Sequence, residues 1–268
     1  MDTASDRIDL WCVAIRHVDE SCLGRCTRLL SEAERYRESQ FRSACDQQRY
    51  RITRAAVRII LSRYAGVPPD RLVFATSAFG KPCLTGWSAD RGLSFNISHT
   101  DRLIIVGVTQ ARRLGVDVER VRPEFAWEEL AETVLTGTER AAMASHPTAD
   151  CPTRFIELWT LKEALLKAHG LGLTRAMTSV GFRLPGRHGI MLETAMAESL
   201  QPEWIFWQYG MDDDHIAALC TDGGTIVPEI CMREFTPFGA EREISPPLRR
   251  VSERAMPRGF QRRHTITI

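Results

Sequence analysis

The sequence predicts an α+β fold made of two halves with a similar order of elements. A helical pattern over residues 30–65 is followed by short alternating strands, and helices followed by strands return after residue 127. The two halves meet in a short polar turn near residues 111–115. With 268 residues, 44% of them hydrophobic, the chain can bury a sizeable core as one large domain or two small ones.

The first half is predicted to begin with a strand over residues 8–14 (IDLWCVA). Ser31 followed by Glu34 is a capping-box pattern, which opens a helix. Apolar residues then recur at a helical period as far as Tyr64, and Gly66 ends the helix before two prolines. The remaining predicted segments of this half are a strand at 72–75, a turn at 79–84, and strands at 93–100 and 103–110.

The second half is predicted to open with the alternating strand GVDVERV. Thr138 is the expected N-cap of one helix, and a longer helix is expected to end at Gly170. The predicted segments are a strand at 115–121, helices at 127–135 and 153–169, and strands at 178–184, 189–193, 203–209 and 215–220.

From Thr236 onward the sequence becomes rich in proline and arginine and nearly aperiodic. This composition predicts a mostly flexible tail, with an arm for acidic partners as the alternative. The predicted units are therefore an N-terminal α+β half (1–112), a C-terminal α+β half (113–235) and the tail (236–268).

Composition excludes several classes of function. A net charge of +1 provides no global field that would recruit nucleic acid or a membrane surface. No apolar run approaches the roughly 18–20 residues that span a bilayer, and the N-terminus lacks the pattern of a signal peptide. The eight cysteines are scattered without C-x-x-C or zinc spacing. We therefore expect a cytoplasmic protein.

Two acidic residues lie on one face of the strand predicted at 115–121. Alternate side chains of a strand share a face, so Asp117 and Glu119 point to the same side, roughly 6–7 Å apart. Two carboxylates that close repel each other unless a positive group lies between them. A solvated edge strand is the simplest alternative, but a strand that follows an apolar strand and a short turn should lie inside a sheet.

The helix at 153–169 contains two of the three lysines that the chain has among its 35 Lys and Arg residues. Glu163 and Lys167 fall on one helical face with Lys162 beside them, and an i,i+4 surface pair is the simple interpretation. The functional alternative makes Glu163 a third carboxylate, with Asp117 and Glu119, for a hard cation such as Mg²⁺. The lysines would then contact phosphate as compact point charges.

Two further motifs suit an anion. GKP (80–82) places Lys81 at a turn, and FNISHT (95–100) places Ser98 and His99 at the end of a strand. Ser98 and His99 can both donate to a phosphate, although a structural histidine is the simpler interpretation of His99 taken alone. The sequence has no Walker loop and no G-x-S-x-G elbow, so the chain has parts that bind anions and metals without an obvious nucleophile of its own.

The chain resembles the surfactin-type 4′-phosphopantetheinyl transferases in the order and spacing of four motifs, GKP, FNISHT, GVDVER and WTLKEALLKAHGLGL. The resemblance covers about residues 8–235. It implies a pseudo-twofold monomer of two α/β subdomains, each a small, mostly antiparallel sheet packed on helices, with coenzyme A in the cleft between them. It also implies the reaction, in which the phosphopantetheine arm moves to a serine of an acyl or peptidyl carrier protein and adenosine 3′,5′-bisphosphate is released. The missing nucleophile would belong to that partner.

The resemblance also implies roles for individual residues. Asp117, Glu119 and Glu163 would hold Mg²⁺ on the pyrophosphate of coenzyme A. Glu163 would be the base for the carrier serine, directly or through a water, and Lys167 would contact the pyrophosphate or protonate the leaving group. The residues expected to bind coenzyme A are Lys81, Pro82, Ser98, His99, Lys162, Arg37 and Arg49.

Two other functions remain open at this point. Another Mg²⁺-dependent phosphoryl-transfer enzyme would be active without any carrier protein. A non-catalytic module that binds coenzyme A or a carrier would show binding without transfer, although it has little need of a third carboxylate. Fatty-acid, polyketide and nonribosomal peptide carriers are all compatible with the motifs.

Overall fold

A computed structural model describes residues 6–77, 80–85, 92–110, 112–170, 176–194 and 203–257. In these residues the chain forms six α-helices and thirteen strands, with the strands arranged in sheets of five, six and two. The predicted α+β class is confirmed. None of the helices in the described part of the chain combines the length and apolarity that a bilayer crossing requires.

The first half follows the predicted order, with two helices more than expected. The stretch predicted as a single helix over 30–65 is divided into two, and a further helix precedes it. The elements are β1 (Arg7–Ala14), α1 (Glu20–Leu29), α2 (Glu32–Ser39), α3 (Ala44–Ala65), β2 (Phe74–Thr76), β3 (Pro82–Leu84), β4 (Leu93–His99) and β5 (Leu103–Gln110).

The second half also keeps the predicted order. Its long helix extends two residues further toward the N-terminus than expected and ends at Gly170, which has a left-handed backbone with φ of 74°. The elements are β6 (Leu114–Arg120), α4 (Glu128–Val134), α5 (Gly137–Ala144), α6 (Cys151–His169), β7 (Gly181–Arg183), β8 (Gly189–Thr194), β9 (Trp204–Gly210) and β10 (His215–Asp222).

A capping box starts one helix in each half. Ser31 and Glu34 cap α2 as predicted, each side chain bonding the backbone amide of the other. Thr136 and Glu139 do the same for α5. The predicted cap at Thr138 is therefore wrong by two residues, because the hydroxyl that accepts the Glu139 amide belongs to Thr136.

The C-terminal segment differs most from its prediction. Instead of a flexible tail after residue 235, the chain forms β12 (Glu241–Ile244) and β13 (Leu248–Ser252), preceded by β11 (Glu229–Phe235). Strand β11 pairs in parallel with β1, so the chain returns to the first half before residue 235. Residues 258–268 of the expected tail lie outside the described residues. These strands carry a weak local pattern, and ladder bonds order them: β11 pairs with β1, β13 pairs with β9 and β8, and β12 pairs with the neighbouring β11.

Two sheets form the body of the fold and repeat one arrangement. The five-stranded sheet has the order β12-β11-β1-β5-β4, and the six-stranded sheet has the order β6-β10-β9-β13-β8-β7. The antiparallel set β1-β5-β4 of the first half corresponds to the antiparallel set β6-β10-β9 of the second. Strand β13 lies between β9 and β8, so the end of the chain is built into the second sheet.

Helix α6 packs directly on β6, and this contact brings together the residues of the candidate site. At the crossing, a Cβ on Gly115 would lie 1.9 Å from the carbonyl oxygen of Ala164 and 2.5 Å from the amide nitrogen of Ala168. A larger residue would therefore push the helix off the strand. Leu161 and Leu165 bury a different side of α6 in the core of the second half.

Candidate active site

The two halves meet where the edge strands β4 and β6 run side by side. The carboxamide oxygen Oδ1 of Asn96 accepts the amide proton of Val116 at 2.8 Å. The hydroxyl Oγ of Ser98 accepts the amide proton of Val118 at 3.2 Å. All four residues are buried. Side chains of β4 therefore bond to backbone amides of β6 across the junction between the sheets.

Asp117 lies between these two bonded positions and is 2% exposed. Its oxygen Oδ1 accepts from Ser98 Oγ at 2.8 Å and from Lys167 Nζ at 2.5 Å. Its other oxygen, Oδ2, is buried and has no hydrogen-bond partner among the described residues. A buried carboxylate oxygen without a donor is costly, so the site is incomplete without a positive or donating group.

The three predicted metal-binding acids line one cavity of about 240 Å³. Asp117 and Glu119 reach it from β6, while Glu163 and Lys167 reach it from successive turns of α6. Ser98 and His99 approach from the end of β4. The structure thus brings together acids from two elements that are more than 40 residues apart in sequence.

The electrostatics of this cavity favour a positive occupant. Burial raises the pKa of Glu119 to about 7, and repulsion from Asp117 and Glu163 adds to the shift while Lys167 opposes it. Burial likewise raises the pKa of Glu163, again with Lys167 opposing and Asp117 reinforcing. One lysine therefore compensates only part of the charge of three carboxylates.

Two further cavities adjoin the central one. A cavity of about 290 Å³ shares Ile97 and His99 with it and is lined by Arg49, Arg54 and the ring of Tyr50. A cavity of about 300 Å³ shares Glu119 and Trp159 with it on another side and includes apolar and basic side chains. The central acids therefore lie between a cationic, aromatic cavity and an amphipathic one.

Among the predicted phosphate-binding residues of the first half, Arg49 and His99 line the cationic cavity. His99 is exposed, and desolvation by the surrounding protein followed by the charge of Arg49 lowers the pKa of its imidazole. Arg49 itself pairs with Asp46 at 2.5 Å. Arg37 is exposed on α2, with its guanidinium 5.8 Å from the ring centre of Phe41.

Lys81 does not bring its ammonium into the central cavity. Its Nζ donates to the carbonyl oxygens of Leu114 at 3.0 Å and Lys167 at 2.9 Å. Burial lowers the pKa of Lys81 to about 8. The structure therefore places this side chain at the junction of β6 and the end of α6, instead of on a phosphate as expected. Pro82 follows it as the first residue of β3 and is half-buried.

Lys162 is a second correction, because it is fully buried on another side of α6. Its Nζ donates to Glu139 Oε2 at 2.6 Å and to the carbonyl oxygens of Val134 and Met177 at 2.7 and 3.2 Å. No donor remains for coenzyme A. An ammonium has three protons, and all three are used inside the protein.

The same arrangement occurs in the first half with a different cation. Arg58 of α3 is also buried and donates to the capping-box residue Glu34 and to the carbonyl oxygens of Pro69 and Leu72. Lys162 and Arg58 therefore have equivalent structural roles, because each links a long helix to the capping-box glutamate of the helix before it. The sequence prediction of a phosphate contact at Lys162 is wrong for this reason.

Some residues of the site were given no role from the sequence, although Asn96 and Trp159 lie in the motifs quoted from it. Asn96 accepts a hydrogen bond from the backbone of β6, and Trp159 lines two of the cavities. The charge of Arg122 opposes the rise in the pKa of Glu119. A signal existed for Asn96, which lies two residues before Ser98 and so shares its face of the strand. No local pattern distinguishes Arg122 from the many surface arginines.

Carboxylates clustered beside cationic side chains have the chemistry that suits a hard cation and phosphate groups. Two family models cover most of the chain. Residues 19–111 match "4′-phosphopantetheinyl transferase, N-terminal", and residues 113–220 match the "4′-phosphopantetheinyl transferase superfamily". The chain belongs to this transferase superfamily, and it is an enzyme.

Individual relatives agree with the family models. The chain is 32% identical to 4′-phosphopantetheinyl transferase HetI of Nostoc sp. over 82% of its own length and 89% of the relative. It is 26% identical to 4′-phosphopantetheinyl transferase Sfp of Bacillus subtilis over 79% and 90%. With AcpT of Salmonella typhimurium it shares 33% identity over 48% of this chain and 64% of the relative.

Proposed function

We propose that the cavity around Asp117 is where this transferase moves the phosphopantetheine arm of coenzyme A to a serine of an acyl or peptidyl carrier protein. The observation that carries the proposal is the buried oxygen Oδ2 of Asp117, which has no hydrogen-bond partner among the described residues. Two further carboxylates, Glu119 and Glu163, line the same cavity. A cation that binds these acids would satisfy the oxygen and relieve their mutual repulsion.

The donor set fits Mg²⁺, which takes carboxylate oxygens and leaves positions for water and phosphate. Asp117, Glu119 and Glu163 would hold it. When bound, the ion would neutralise charge on the pyrophosphate of coenzyme A. Neither cysteine nor histidine lies among these three ligands, which argues against a softer metal.

Coenzyme A would occupy the central cavity with its pyrophosphate and the adjoining cationic cavity with its nucleotide. Arg49 and His99 border that second cavity, and their side chains can donate to phosphate oxygens. Arg37, exposed nearby on α2, is a further candidate for the 3′-phosphate. Lys81 would only support β6 and α6, and contact between Pro82 and the nucleotide remains a prediction from the sequence.

In the transfer, the oxygen of the carrier serine forms a bond to the phosphorus of the arm, and the bond from that phosphorus to adenosine 3′,5′-bisphosphate breaks. Glu163, which lines the cavity from α6, would accept the serine proton, directly or through a water. Lys167 would lie beside the negative charge that develops on the leaving group. Its present partner, Asp117, would then be held by the cation.

The test is arm transfer to an apo-carrier, followed by mass spectrometry. Glu163→Gln removes the charge but keeps the shape, so we expect no transfer from a chain that melts at or above the wild-type temperature. Lys167→Arg keeps the charge in a larger, flatter group, and we expect a strongly reduced rate. Wild-type rates in Glu163→Gln would refute the assignment of the site, and an unchanged rate in Lys167→Arg would show that charge alone is needed there.

Which carrier is served is not encoded in these residues. Fatty-acid, polyketide and nonribosomal peptide carriers are the candidates, and a panel of one apo-carrier from each class would separate them. Action as a monomer and in the cytoplasm remain predictions from the sequence.

A further inference from the structure

The hydroxyl of Ser98 has no capacity left for a phosphate. A hydroxyl offers one proton and two acceptor positions. In Ser98, Oγ accepts from Val118 N and from Lys167 Nζ, both at 3.2 Å, and donates its proton to Asp117 Oδ1 at 2.8 Å. Ser98 is 7% exposed, so water does not compete strongly for these bonds. The hydroxyl thus serves the protein, although the sequence suggested a ligand of coenzyme A.

These bonds leave the two oxygens of Asp117 unequal. Ser98 and Lys167 both bind Oδ1, and Oδ2 is left buried without a partner in the part of the chain that the structure describes. We propose that Ser98 is a positioning residue that fixes the rotation of the Asp117 carboxylate, so that Oδ2 stays available to the cation. This inference rests on the proposed cation site. Lys167 alone would not fix the rotation, because its ammonium is on a flexible stem and is partly exposed.

Asn96 makes an equivalent contact with β6, two residues before Ser98 on the same strand. It holds Val116 while Ser98 holds Val118, so β6 is tied to β4 on both sides of Asp117. The backbone of Asp117 is therefore fixed from the first half of the protein, and its side chain is fixed by Ser98. Partners that orient metal ligands in this way typically change metal affinity about 10- to 100-fold when they are removed.

The experiment compares Ser98→Ala, Ser98→Cys and the control Ser252→Ala. Ser252 is buried like Ser98 and also accepts a backbone amide, that of Phe206, but it lies in β13 of the second sheet, away from the cavity. Binding of Mn²⁺ to each full-length variant is measured by electron paramagnetic resonance, alone and with coenzyme A, together with the melting temperature.

We expect Ser98→Ala to weaken Mn²⁺ binding about 10- to 100-fold. Ser98→Cys should weaken it less, because a thiol, although a weaker donor than a hydroxyl, can still donate to Asp117, which a methyl group cannot. Ser252→Ala should lower the melting temperature at unchanged Mn²⁺ affinity. If the wild-type chain binds Mn²⁺ and both Ser98 variants bind it equally well or more tightly, the positioning role of Ser98 is overturned and the proposed cation site is not. A wild-type chain that binds no Mn²⁺ would overturn the cation site and this inference with it. Ser98→Cys provides the decision if Ser98→Ala does not fold.

Discussion

Replacing Lys162 by methionine separates the structural interpretation of this lysine from a role in binding coenzyme A. Methionine keeps the length and the apolar stem but removes the ammonium. The change leaves the carboxylate of Glu139 buried at 3% exposure without its cation, and leaves two backbone carbonyl oxygens, those of Val134 and Met177, without their donor. None of these groups is among the residues that line the cavity around Asp117.

Breaking a buried ion pair on one side costs about 3–5 kcal/mol. For a protein of this size that corresponds to a fall of about 6–20 °C in melting temperature. Differential scanning calorimetry and urea unfolding measure the loss, and the Michaelis constant for coenzyme A is measured well below the new melting temperature. We expect that constant to be unchanged, because every proton of the ammonium is used inside the protein.

The double variant Lys162→Met/Glu139→Gln is the control for this mechanism. It removes the uncompensated charge, so it should recover part of the stability that Lys162→Met loses. A wild-type melting temperature combined with a raised Michaelis constant for coenzyme A would refute the reasoning and restore the phosphate contact expected from the sequence.

Three further outcomes follow from the structure. Without added metal, the free energy of unfolding should fall as pH rises from about 4.5 to about 7, because the folded chain keeps the Glu119 proton that the unfolded chain has already released. Urea titrations at several pH values measure this fall, and Glu119→Gln should lack the part that Glu119 contributes. The same dependence on pH in Glu119→Gln and wild type would contradict the prediction. Gly115→Ala should lower both stability and transfer, since its Cβ would collide with the backbone of α6. The control Gly137→Ala has open space at its Cβ and should be near neutral. Equal changes in melting temperature by calorimetry would show that α6 can move. Truncation after Phe235 removes β12 and β13, which lies inside the second sheet, so thermal unfolding followed by circular dichroism should no longer be cooperative. Truncation after Pro257 removes no described strand and is the control. A stable, active chain ending at Phe235 would show that β13 is dispensable.

The elements predicted correctly from sequence are those with local signals. The capping box of Ser31 and Glu34 and the stop at Gly66 need only neighbouring residues, and both are present in the structure. The shared face of Asp117 and Glu119 follows from strand geometry alone. What joins these acids to Glu163 is the crossing of α6 over Gly115, which depends on packing between elements distant in sequence.

The errors come from features that only tertiary structure decides. Lys162 and Glu163 are neighbours in sequence, but successive residues of a helix point about 100° apart, so one faces the core and the other faces the cavity. The strands after Thr236 are held by β11, β9 and β8, and their own composition resembles a tail. Ser98 has the chemistry of a phosphate ligand, and only its three bonds within the protein show that it is already occupied.

The central claim is that the carboxylates around Asp117 carry arm transfer from coenzyme A to a carrier serine. Intact-mass spectrometry of an apo-carrier panel, incubated with coenzyme A and Mg²⁺, tests it most directly. We predict that the wild-type chain adds one phosphopantetheine arm to at least one carrier, that chelation of the metal abolishes the addition, and that Asp117→Asn adds none while remaining folded. Full modification by Asp117→Asn, or modification that persists under chelation, would contradict the claim.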